Sequence, residues 1–98
     1  MVSIVKNRKG FKIIKLSLTE VLELWGKYGG TGICDFCNKK VKTHGYYIAV
    51  LNDFVCEDCY KEFIDEAIHY EQDKAFEEKC YNDVKHKLEV LKLWPSKT

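Results

Sequence analysis

Two cysteine pairs constrain this chain more than any other feature: Cys34-Asp35-Phe36-Cys37 and Cys56-Glu57-Asp58-Cys59, separated by eighteen residues. That spacing is the pattern of a four-cysteine zinc site. Two residues between paired cysteines let a tight turn aim both sulfurs at one ion, and two such pairs supply the four corners of the tetrahedron that Zn²⁺ prefers. One structural Zn²⁺ held by Cys34, Cys37, Cys56 and Cys59 is therefore expected. Four thiolates leave no position for water or substrate, so no catalysis is expected at the metal.

The residues around the two pairs differ. Cys34 and Cys37 follow a glycine-rich stretch and precede Asn38, which tolerates the left-handed conformation that closes a knuckle. Cys56 and Cys59 open a run in which Tyr60, Phe63, Ile64, Ala67 and Ile68 share a helical face. At a helix start, unsatisfied N–H groups and the positive end of the dipole favour thiolates. Between the pairs, Tyr46–Val55 is rich in aromatic and β-branched residues around Asn52-Asp53, the signature of a hairpin.

Upstream, Ser3–Val5 and Phe11–Leu16 flank Asn7-Arg8-Lys9-Gly10 and read as another hairpin. Ser17-Leu18-Thr19-Glu20 matches a capping box, predicting a helix from about Leu18 to Tyr28 that stops at Gly29-Gly30, with Leu18, Val21, Leu22 and Trp25 on its core face. Downstream, Asp73 is positioned to cap a helix in which Phe76, Cys80, Tyr81, Val84, Leu88 and Leu91 recur at steps of three and four; one long helix over 57–93 is the alternative. The fold class is thus α+β. The 98-residue chain is expected to form a single small domain: hairpin plus helix over 1–31, a zinc unit over 32–69 and a C-terminal helix over 73–93.

Knuckle, hairpin, then a helix carrying the second pair resembles a treble-clef zinc finger, and the spacing is similar to half of a LIM domain or to a GATA-type finger. On that resemblance, which covers residues 32–69, the four cysteines take the family's ligand positions. GATA-type fingers are basic in and after the helix, whereas this helix is acidic, so DNA binding is not carried over. Ligands are present for only one of a LIM domain's two zincs. The stretch from Gly45-Tyr46-Tyr47 to Cys59-Tyr60 also resembles small uncharacterised zinc proteins of bacteria and their phages. Rubredoxin-like iron is a third reading, since iron accepts four sulfurs, but rubredoxin-like sites set both pairs on knuckles.

Charge is distributed unevenly beneath a formal total of +1: residues 1–15 carry five basic residues and no acid, while residues 52–78 carry ten acids against Lys61 and Lys74. The near-neutral total argues against a general nucleic-acid binder. Neither cysteine pair follows a proline and no His-x-Glu occurs, which excludes the zinc deaminase pattern. No apolar run is long enough to span a membrane, and no export signal is evident at the N-terminus, so a cytoplasmic protein with reduced thiols is expected. The leading expectation is a non-enzymatic module that presents its acidic helix face to a basic protein partner, as a bacterial or phage modulator of a nucleic-acid enzyme would. The alternative is a nucleic-acid module using the basic N-terminal hairpin, Lys39-Lys40-x-Lys42 and stacking by exposed Tyr46 or Tyr47. Cys80 is expected to be a buried apolar group, His44 a spare ligand without a vacant place, and His69 and His86 solvated.

Overall fold

The computed structural model describes residues 2–26 and 32–95. Four strands, β1 (Ser3–Val5), β2 (Ile13–Ser17), β3 (His44–Ile48) and β4 (Asp53–Val55), form one antiparallel sheet in the order β1-β2-β3-β4. Helix α1 (Leu18–Trp25) follows β2 directly, α2 (Glu57–Glu66) follows β4, and a 3₁₀ turn at Glu71–Asp73 leads into α3 (Lys74–Val90). The α+β class and both hairpins agree with the sequence pattern. The central pairing does not follow from it: β2 and β3 lie side by side, Ile14 opposite Tyr47 and Leu16 opposite Gly45, joining the two hairpins into one sheet.

Strand alternation gives each face its own core. On one face Ile14, Leu16, Tyr47 and Phe54 pack with Val21 and Leu24 of α1 and Val84 and Leu88 of α3. On the other, Phe11, Ile13, Tyr46, Ile48 and Val55 pack with Ile64 of α2 and with Cys34.

Local chemistry explains the joints. The Asn7 side chain accepts the N–H groups of Lys9 and Phe11 and donates to the Phe11 carbonyl, closing the first turn. Ser17 and Glu20 complete the capping box of α1 in both directions. The predicted end of that helix, Lys27 to Gly30, lies outside the described residues. Leu22, expected in the core, is 49% exposed, because β2 runs straight into α1 and the helix buries Val21 and Leu24 instead.

Residues 57–93 form two helices rather than one. Backbone φ and ψ turn extended at Ala67, which lifts Ile68 out of the predicted apolar face and leaves it exposed. Asp73 precedes α3, yet its backbone is already helical and its side chain makes no capping bond. Phe76 and Leu91 are exposed, and Glu77, absent from the predicted stripe, is buried with Cys80, Val84 and Leu88.

Candidate metal centre

Cys34 and Cys37 sit on a knuckle built by backbone bonds: Cys34 N–H donates to the Lys39 carbonyl and Asn38 N–H to the Cys34 carbonyl, each at 2.9 Å. Asn38 adopts φ +62°, the left-handed geometry anticipated for it. Gly32 opens the knuckle with φ +86°, and a Cβ there would come within 2.8 Å of Leu18 Cδ1; glycine meets both demands. Cys56 is the N-cap residue of α2 and Cys59 lies in its first turn, as the sequence implies.

Asp35 fixes the distance between the two halves. Its N–H donates to the Phe54 carbonyl at 2.9 Å, and its carboxylate accepts the Phe54 N–H at 2.8 Å. The knuckle is thereby stitched to β4 two residues before Cys56. Sequence reasoning treated Asp35 as a spacer; a short acceptor side chain inside a knuckle is the signal that could have identified it.

The four sulfurs lie within 4.8 Å of one another, and among the described residues no other group of metal-ligating side chains converges in this way. A tetrahedron with metal–sulfur bonds of about 2.3 Å has sulfur–sulfur edges of about 3.8 Å. The Cys37 and Cys56 sulfurs are 3.8 Å apart. The donor set therefore fits one ion bound by four thiolates.

Protonation chemistry points the same way. Burial pushes the Cys34 thiol up, but backbone N–H groups of Cys37, Cys56 and Phe36 directed at its sulfur outweigh burial and bring it down to about 7. The Cys37 N–H donates to that sulfur at 3.5 Å. Cys56 is pushed up, first by burial, and Cys59 strongly so, by burial and then by the three neighbouring thiols. One thiolate forms readily here, and four mutually repelling thiolates require a cation among them.

The remaining candidates are placed elsewhere. Cys80 is buried in the α3 core, as expected. His44 stays outside the sulfur cluster; its Nδ1 meets Thr43 Oγ1 at 3.1 Å and its Nε2 faces Glu57 Oε1 at 3.5 Å. His86 is exposed. His69 is not solvated: it is nearly buried, with Nε2 2.9 Å from Glu77 Oε1 and Nδ1 3.1 Å from the Lys9 carbonyl. Lys39, Lys40 and Lys42 are exposed, but the tyrosines expected to stack beside them are core residues. Tyr46 lies flat on Tyr60 with ring centroids 4.2 Å apart, and Tyr47 is 1% exposed, its hydroxyl donating to Asn52 Oδ1 at 2.7 Å.

The acidic helix is partly engaged as well. Arg8 pairs with Asp65 at 3.0 Å, and Lys9 Nζ donates to the carbonyls of Asp65 and Ala67. Glu62 and Glu66 line an open cleft of about 330 Å³ with Phe36, Cys59, Phe63 and Ala67. Among the described residues no helix is long and apolar enough to cross a membrane. Comparison of the chain with protein-family models, with curated proteins and with solved structures returned no match.

Proposed function

We propose that this chain is a non-catalytic, treble-clef-like module that binds one structural Zn²⁺ and docks a basic protein partner beside it. The observation that carries the reading is the cleft beside the metal centre, lined by Phe36, Phe63, Glu62 and Glu66 together with the ligand Cys59. Phe36 is 43% exposed between two ligand cysteines, so the ion fixes the position of an apolar anchor. Aromatic anchors ringed by charge suit a partner segment with an apolar side chain between arginines or lysines. Such a protein would work in the cytoplasm, where thiols stay reduced. A modulator that occupies the phosphate-binding surface of a nucleic-acid enzyme fits the same chemistry.

Two measurements test the proposal. Elemental analysis should return one zinc per chain and a colourless protein, whereas a coloured protein with one iron per chain would favour the rubredoxin-like reading. For docking, a panel of short peptides alternating arginine and leucine should bind, and Glu62→Lys with Glu66→Lys should slow association in a salt-dependent manner. Asp65 is a poorer test position because Arg8 already pairs with it. Phe36→Ser should speed dissociation without loss of zinc. Peptide binding unaffected by both variants would remove the cleft from the proposal.

A further inference from the structure

The second candidate surface lies on the far side of the sheet, between the edge strand β1 and α3. An open cleft of about 760 Å³ runs there, with Ile4, Tyr81, Trp94 and Pro95 as its apolar lining. It continues past Ile4 and Tyr81 into a hollow of about 330 Å³ beneath the first hairpin turn. Ile4, which lines both parts, is 50% exposed.

Lysines surround it. Lys85 and Lys92 line the larger cleft and Lys6 and Lys12 its continuation, with Glu89 as the one carboxylate lining either part. Among the described residues none of these four lysines pairs with a carboxylate. Arg8 and Lys9 of the same hairpin, by contrast, are engaged with α2. The near-neutral total charge therefore conceals a local basic groove, because the acids are concentrated in and around α2.

The aromatic rings are arranged to receive something flat. Tyr81 and Trp94 meet at 82° with centroids 6.0 Å apart, forming a right-angled corner. Each ring has an ammonium against it: Lys12 Nζ is 4.9 Å from the Tyr81 centroid and Lys85 Nζ 5.4 Å from that of Trp94. Ring beside cation, repeated, matches the repeat of single-stranded nucleic acid, a planar base beside a phosphate. Lysine stems are flexible enough to move from ring to phosphate. An acidic peptide would satisfy the lysines and leave the rings without a stacking partner. A duplex hides its base faces. We infer that the β1–α3 cleft binds single-stranded nucleic acid, stacking bases on Tyr81 and Trp94 and holding phosphates with Lys6, Lys12, Lys85 and Lys92.

The test uses the full zinc-loaded chain and fluorescent oligo(dT) and oligo(U) of about twelve nucleotides, followed by anisotropy between about 50 and about 200 mM salt. Four phosphate contacts on a single strand predict a log–log salt slope of about −2.8, or roughly 50-fold weaker binding across that range. Lys6→Ala with Lys85→Ala should reduce the slope to about −1.4. Trp94→Leu, which keeps apolar volume, should weaken binding by about tenfold or more through lost stacking. Because Trp94 also packs on the core, the lysine variant serves as the control that does not disturb packing. Tight binding of either strand with these changes supports the inference. It is overturned if neither oligonucleotide binds at low salt, if the lysine variant keeps the full slope, or if duplex DNA or poly-glutamate binds as well as the single strands. Zinc content does not enter the outcome, so failure here leaves the metal assignment standing.

Discussion

Replacing Glu77 with alanine should cost this protein a large part of its stability. Glu77 is 2% exposed; its Oε2 accepts the Lys12 N–H at 2.9 Å and its Oε1 lies 2.9 Å from His69 Nε2. The other face of that imidazole is committed, since Nδ1 meets the Lys9 carbonyl, which can only accept. The Glu77 carboxylate thus serves two buried polar contacts, and a lost hydrogen bond to a charged group costs about 1.5–3 kcal/mol. For the two together the expected loss is about 3–5 kcal/mol. Against a total of about 5–15 kcal/mol for a domain, that is about a fifth of the stability at the least. The midpoint of thermal unfolding should fall by at least about 12 °C. Urea unfolding at neutral pH with excess zinc measures it, with Glu78→Ala as the exposed neighbour that should change stability by no more than about 0.5 kcal/mol. Glu77→Gln keeps an oxygen for the Lys12 N–H and should fall between. A loss below about 1 kcal/mol for Glu77→Ala, close to what an exposed position shows, would refute the reasoning.

Cys34→Ser or Cys59→Ser should abolish stoichiometric zinc, while Cys80→Ser retains it, as read by elemental analysis of purified protein. Gly45→Ala should destabilise by about 1–3 kcal/mol in denaturant titration, since a Cβ there would approach Phe54 Cζ to 2.4 Å and the Val55 carbonyl oxygen to 2.7 Å. Zinc removal by a strong chelator should accelerate amide exchange in β3, β4 and the start of α2 before it reaches Val84 and Leu88 of α3; uniform loss of protection, or none, would count against a structural ion.

The metal centre was legible in the sequence because its information is local. A Cys-x-x-Cys pair specifies its own turn, and the residue after it or the helix following it specifies the geometry. The capping box at Ser17 and Glu20 was legible for the same reason. Contacts between segments distant in the sequence were not. His69 and Glu77 look like ordinary members of a charged helical stretch until the break at Ala67 carries one back over the first hairpin. Tyr46 and Tyr47 illustrate the limit of alternation: β-strand periodicity implies that neighbours face opposite sides, and exposure of one follows only if a face is open. Here both faces are covered, by α2 on one side and by α1 and α3 on the other, so both rings are core.

The two faces also explain why such a small sheet would need an ion on one side. Toward α3, Ile14, Leu16, Tyr47, Phe54, Val84 and Leu88 are buried together with Val21 and Leu24, and each fully buried aliphatic side chain contributes about 1.5–3 kcal/mol. Toward α2 the helix supplies Ile64 as its one buried residue, helped by half-buried Tyr60 and Phe63, while its remaining surface is acidic. Apolar packing alone is thin there, and what attaches the helix is mostly polar: Lys9 on its terminal carbonyls, Arg8 on Asp65, and the cysteines at its start. The Arg8–Asp65 pair is exposed and contributes about 0–1 kcal/mol. Joining Cys56 and Cys59 to the knuckle through one ion would anchor the helix at the end opposite Lys9. Asp35 aligns that knuckle with β4, so an ion bound there would transmit its binding free energy to the strands whose faces α2 covers.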